Sequence, residues 1–423
     1  ISIILFFFSL VAFAAFAQSN STDFDVAPSF EWLIQNCEDG WCGSVESTAL
    51  YAMSMKLAGY SSTYGSQAIK QIQLEEKESE SCFQKNSCNV RDTAFAYWVL
   101  SNYGEDTSGI EDYIRKNLGV GLAENWWLEI ITTAENQMCK IGYPSGSSQE
   151  EKEILVNQGK FPECSAGQPE TFFDLNECIT PNLVNSNPNL ELTIDCSSIG
   201  QGTIISIIYN SGSSYYLTEQ ATAAKYKTQI QNACHKKAGA CDKDVSLWTN
   251  WILKNKNSDI STNLYLLTVY DNLDPVDLSL LYLSSSDAEI KSDYLDALLS
   301  LQKLDGSLNK NSYDTAVALL ALSAGGSAED ILNAIDYLKK ARKSDGSWDS
   351  DKATTALVLY AAFADASVSL PSMPGSSGIE SDTFCGDDVC DPDESVYSCF
   401  KDCQQPESEI CVANGICEVD YGE

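Results

Sequence analysis

A phrase recurs along this chain: a helix ends at a turn, and the next helix opens with Thr-Ala followed by apolar residues. Clear copies run from Asp39-Gly40-Trp41 to Thr48-Ala49-Leu50, from Asp305-Gly306-Ser307 to Thr315-Ala316-Val317, and from Asp345-Gly346-Ser347-Trp348 to Thr355-Ala356-Leu357. Thr93-Ala94-Phe95 is a further opening without the Asp-Gly turn. Thr48 and Thr93 lie 45 residues apart and Thr315 and Thr355 lie 40 apart, the period of a two-helix repeat. Asp-Gly supplies a left-handed turn, and small Thr and Ala at a helix start allow close packing against neighbours. Residues 315–322 and 355–363 are apolar nearly all round, as inner helices shielded by an outer layer must be. Residues 331–342 set Asp336, Lys339 and Lys340 between apolar positions and read as an outer helix. Hairpins of this kind cannot bury their faces singly, so the stack must extend as a solenoid or close into a toroid. The helices near Thr48, Thr93, Thr315 and Thr355 are expected to form its inner ring.

Between residues 120 and 243 the texture changes. Residues 126–133, 192–196, 203–209 and 215–218 are rich in β-branched and aromatic side chains and bounded by Gly, Ser, Asn and Pro. The expected fold class is therefore mainly α: helical-hairpin repeats over residues 26–120 and 243–365, with a small β-domain inserted at 122–230. A flexible linker follows at 366–384, and acidic cysteine modules occupy 385–423, the second of them truncated.

Residues 1–17 are apolar and end in Ala15-Phe16-Ala17, which reads as a cleaved signal peptide rather than a membrane span. The chain opens at Ile1 without Met and stops inside a cysteine module, so it reads as a fragment. Its sixteen cysteines, none in haem or zinc-ribbon spacing, point to disulfides in an oxidising compartment. The pairing is not legible: Cys37 and Cys42 pair with each other or with Cys82 and Cys88. Cys139, Cys164, Cys178 and Cys196 staple the insertion, and Cys234 and Cys241 tie the return to the helices. A formal net charge of -34 excludes nucleic acid and anionic membrane surfaces as partners, both of which would repel the chain.

Residues 35–41, 302–308 and 345–348 resemble the Gln-Trp repeats of squalene and oxidosqualene cyclases and of protein prenyltransferases. The arrangement as a whole is also similar to archaeal surface proteins with tails of Cys-Gly-Asp-Gly-x-Cys modules. The first resemblance implies that the hairpin repeats over residues 26–120 and 243–365 close into an α/α toroid. It also implies an acid at the start of a cyclase helix, where the matching stretch is Asn311-Ser312-Tyr313-Asp314-Thr315-Ala316. Tyr313 stands in the acid's place, and a phenol with a pKa of about 10 is a far weaker proton donor than a carboxyl group. Asp314 is the remaining candidate acid, with helix N-capping as its ordinary role. The aromatic lining of cyclases has counterparts in Trp248 and Trp251. The prenyltransferase zinc set is missing, because the chain has one histidine, His235, beside Cys234. Cys42-Gly43-Ser44-Val45 departs from the thioester motif of complement-like toroids at its last two positions.

In the tail, Asp387, Asp388, Asp391, Asp393 and Glu394 crowd within eight residues, a density of hard oxygens that suits calcium. No other cofactor is expected. The function read from these observations is that of a secreted or cell-surface, non-catalytic binding or structural protein, its partner an extracellular protein, a glycan or a small ligand. The alternatives are a degenerate terpenoid-cyclase-like or carbohydrate-active enzyme, or a corrinoid carrier.

Overall fold

The computed structural model describes residues 24–146, 148–165, 170–180, 182–269 and 273–363. The signal-peptide stretch, the linker and the acidic cluster Asp387 to Glu394 lie outside the described residues. Helices come first: α1 (Ala27–Asn36), α2 (Val45–Leu57), α3 (Ser66–Leu74), α4 (Val90–Asn102) and α5 (Ile110–Lys116). Two short helices, α6 (Leu175–Cys178) and α7 (Leu183–Ser186), lie among strands. The helical series then resumes with α8 (Lys243–Asn255), α9 (Asn263–Thr268), α10 (Pro275–Ser284), α11 (Ala288–Leu301), α12 (Ser312–Gly325), α13 (Ala328–Ala341) and α14 (Lys352–Ala362).

Helices α2, α4, α8, α10, α12 and α14 each pack against the next, and α14 packs back against α2, so the series closes on itself. Their burial explains the arrangement. In α2, Val45 and residues 48–55 are all buried, and in α12 so are Thr315, Ala316, Val317, Ala318 and Leu319, leaving no solvent face. In α13, by contrast, only Ala334 and Leu338 are buried.

The threonines that open these helices share one device. Thr48 Oγ1 accepts the Cys42 amide at 3.0 Å, Thr93 that of Phe83 at 3.1 Å, Thr315 that of Leu308 at 2.9 Å and Thr355 that of Trp348 at 3.0 Å. Each hydroxyl thus anchors the preceding segment to its helix and satisfies a buried backbone donor. The Asp-Gly turns pack as tightly. Gly306 and Gly346 both have positive φ, and a Cβ on either would overlap backbone, the Asn333 carbonyl for Gly306 and the Pro28 carbonyl for Gly346. The last turn of the repeat therefore locks onto α1.

The mainly α toroid expected for the chain is corrected by its strands. Helix accounts for 44% and strand for 22% of the structure, and the strands form four antiparallel sheets, which makes the fold α+β. A two-stranded ladder joins β1 (Glu76–Lys77) and β2 (Cys82–Phe83). β3 (Leu118–Val120), β4 (Asn125–Ile131), β5 (Gln137–Ser145), β6 (Ser148–Val156) and β7 (Phe172–Asp174) precede β8 (Glu191–Asp195), β9 (Ile204–Ser211), β10 (Ser214–Thr222), β11 (Lys225–Gln229), β12 (Ala233–Lys237) and β13 (Ala240–Cys241). Their sheets run β10-β9-β4-β7, β11-β8-β5-β6 and β13-β12-β3. The misjudgement has a physical origin. Thr-Ala phrases mark only helices, whereas β6, Ser-Gln-Glu-Glu-Lys-Glu-Ile-Leu-Val, has the composition of an exposed helix. It is held extended by nine-residue pairing to β5, with Lys140 between Glu151 and Glu153.

Among the described residues ten cysteines form five disulfides: Cys37–Cys42, Cys82–Cys88, Cys139–Cys196, Cys164–Cys178 and Cys234–Cys241, with none free. No described helix is long and apolar enough to cross a membrane.

Candidate functional site

The N-terminal ends of the packed helices gather charge because each begins with a polar cap. Ser44, Asn89, Asp242, Asp274, Asn311 and Asp351 accept first-turn amides of α2, α4, α8, α10, α12 and α14. Within the first turns that follow lie Glu46, Arg91, Asp92, Asp277, Tyr313 and Asp314. One guanidinium edge of Arg91 engages both carboxylate oxygens of Glu46, Nε at 3.0 Å from Oε2 and Nη2 at 2.8 Å from Oε1. The Tyr313 hydroxyl reaches Glu46 Oε1 at 3.4 Å. Below this pair the guanidinium lies over Trp248, 5.4 Å from its centroid, and over Phe95.

The electrostatics follow from burial and pairing. Burial alone would lower the Arg91 pKa, but Glu46 outweighs it and the net shift is upward. Burial, then Glu46, pushes the Tyr313 phenol well above its ordinary range. Burial also raises Asp92, against the Asn89 amide that donates to its carboxylate at 2.6 Å. Asp277 is raised by burial, opposed by the Lys243 ammonium at 2.8 Å.

Asp314, the candidate acid, does not cap α12: Asn311 does, accepting the amides of Tyr313 and Asp314. The Asp314 carboxylate instead takes the Asn309 amide at 3.0 Å, and its pKa is raised by burial. Tyr313, but not Asp314, is thus brought together with Glu46 and Arg91, a pair that sequence reasoning missed because 267 residues separate Glu46 from Tyr313. The one available signal was position: Glu46 and Arg91, like Tyr313, each stand two residues before the Thr-Ala opening of their helix.

Trp248 and Trp251 pack into one aromatic column. Aromatic contacts run continuously from Tyr313 to Trp248 (6.4 Å), Trp251 (5.7 Å), Trp98 (5.5 Å) and Tyr360 (5.4 Å), with Phe95 against Trp248 at 5.3 Å. This column fills the space between the helices and separates their two ends.

Beside the Glu46–Arg91 pair opens a cleft of about 660 Å³. Gln84, Ser87, Asn89, Tyr113, Asn117 and Lys237 contribute to its walls. These are amides, hydroxyls, one ammonium and one aromatic face, a set that recognises hydroxyl-bearing ligands. His235 is fully buried one strand position away from the cleft lysines. Glu80, Cys82 and Cys88 cluster nearby, but the two sulfurs are bonded to each other and offer no thiolate to a metal. Compared with known proteins, the chain matches no family model and no curated protein.

Proposed function

We propose that this is an extracellular binding protein without chemistry of its own, and that the cleft beside Glu46 and Arg91 holds a hydroxyl-rich ligand such as a glycan. The observation that carries the reading is the fate of the cleft's carboxylates. Both oxygens of Glu46 are taken by Arg91, and Asp92 is held by the Asn89 amide, so neither is set up to give or take a proton on a ligand. Glycoside hydrolysis needs two carboxyl groups facing the bond to be cleaved. Five disulfides support an oxidising, extracellular setting.

The test is a glycan array probed with the full chain and with Tyr113→Ala. The expected result is a saccharide whose binding drops about tenfold in the variant, as loss of one stacking face allows, and which is recovered unchanged after prolonged incubation. Turnover of any array sugar that disappears in Glu46→Gln would overturn the reading and make Glu46 a catalytic group.

A further inference from the structure

At the other end of the aromatic column the C-terminal turns of the same helices enclose a second cavity of about 350 Å³. Its walls are Trp98, Trp251, Tyr360 and Leu320, with Asn102 and Lys256 also lining it. Trp98 contacts Trp251 at 5.5 Å and meets Tyr360 edge-on at 5.4 Å, so three aromatic side chains are fixed in orientation around the space. That geometry suits a flat apolar body and, taken alone, suits a cation equally well.

The charges decide between the two. Lys256 caps the end of α8, half-buried, and no carboxylate pairs with it among the described residues. Its charged neighbour is another ammonium, Lys56, which donates to the Asn102 carbonyl at 2.6 Å; burial and that neighbour both lower the Lys256 pKa. No acidic side chain lines the cavity. Helix C-termini carry only about half a negative charge each, and Lys56 already occupies the Asn102 carbonyl that ends α4. The Lys256 ammonium on the wall, with that of Lys56 beside it, therefore repels a cation and leaves an anion as the missing partner. In a chain of net charge -34, a lysine that lines an aromatic cavity with a second lysine as its charged neighbour is a local inversion of the protein's field.

We propose that this cavity binds an aromatic monocarboxylate, its ring among Trp98, Trp251 and Tyr360 and its carboxylate on Lys256. The site is independent of the polar cleft, from which the aromatic column divides it.

Calorimetric titration of the full chain with naphthalene-1-carboxylate, 1-naphthylmethanol and 1-naphthylmethylamine tests this. The acid should bind about tenfold more tightly than the alcohol, and the amine most weakly. Lys256→Gln should erase the preference for the acid while leaving the affinity for the alcohol unchanged, and raising the pH through the lysine's lowered range should do the same. Ala324→Trp, which fills the mouth, should abolish all binding; if that variant fails to fold, the selectivity change in Lys256→Gln decides alone. The proposal is overturned if the amine binds as well as the acid, if the preference survives Lys256→Gln, if binding survives in folded Ala324→Trp, or if nothing binds at about 10 mM, where a site of useful affinity is saturated.

Discussion

His235 sits in β12 with its side chain fully buried and neither ring nitrogen partnered. Its backbone is well satisfied, the amide donating to Ser246 Oγ at 2.9 Å and the carbonyl accepting the Asp242 amide at 3.0 Å, so the imidazole is carried into the interior by main-chain pairing. Burial alone pushes its pKa down to about 3 from an ordinary 6.5. A histidine whose pKa is depressed in the folded state contributes stability in full above its unfolded pKa. That stability is lost as pH falls from 6.5 toward 3, because the unfolded chain takes up a proton that the folded chain refuses. At pH 4.5, two units below the unfolded value, the loss is about 3 kcal/mol.

Replacing the ring with one that cannot titrate isolates this contribution from the carboxylates. Asp259 and Asp195, held below the usual range by Arg115 and by Ser197 respectively, also lose stability on acidification, whereas Asp92 and Asp277 gain it. All four titrate identically in wild type and in His235→Phe, so they cancel in the difference. Any overpacking by the larger phenyl ring is the same at every pH and cancels in the slope. Urea unfolding followed by far-UV circular dichroism, with disulfides intact, should show the variant gaining about 3 kcal/mol on wild type between pH 7.5 and 4.5. A difference constant to within about 0.5 kcal/mol over that range would refute the reasoning and mean that the folded imidazole accepts its proton. His235→Leu serves as the control if the phenyl ring is not accommodated.

Two further outcomes follow from the fold. Thr355→Val keeps the shape of the side chain but strands the buried Trp348 amide, and should cost about 1–3 kcal/mol in thermal unfolding, with Thr355→Ser losing less; a neutral valine would mean that the hydroxyl is not what holds the turn. The Cys139–Cys196 bridge closes 57 residues, and the paired Cys139→Ala, Cys196→Ala variant should lose about 4 kcal/mol in chemical unfolding, against a negligible loss if β5 and β8 are held by their ladder alone.

The helical part of the fold was legible because its signal is local and repeated: Thr48, Thr93, Thr315 and Thr355 lie in the buried first turns of helices that pack in sequence. Their mechanism was not. Small size at a helix start suggested close packing, whereas the structure uses the hydroxyl oxygen, a difference that Thr and Ala side by side cannot reveal. Strands β4, β8, β9 and β10 coincide with the apolar, β-branched runs, but β5, β6 and β11 carry Lys, Glu and Gln on open faces and become strands only through pairing. The candidate site was half legible. Tyr313 was marked by its place in a motif, while Glu46 and Arg91 were not singled out by any motif, and the packing of α2, α4 and α12 brings three helix starts together.

How a closed series of helices accepts an insertion of this size is explained by one strand pair and one hydroxyl. The chain leaves the helices through β3 and returns through β12, and these strands lie antiparallel, Leu118 opposite His235, Gly119 opposite Cys234 and Val120 opposite Ala233. Exit and return are therefore about 4.8 Å apart, the width of one ladder step, and the helices see an interruption no wider than an ordinary turn. α8 can then follow α4 as though nothing intervened, and the two pack directly. The anchoring device is also preserved. Ser246, in the first turn of α8, accepts the His235 amide as the threonines accept theirs, so the hydroxyl that elsewhere ties a turn to its helix here ties the returning strand. The same bond draws the imidazole of His235 into a site without partners. The buried histidine is thus a consequence of how the two parts are joined, and the acid sensitivity expected of it belongs to the junction.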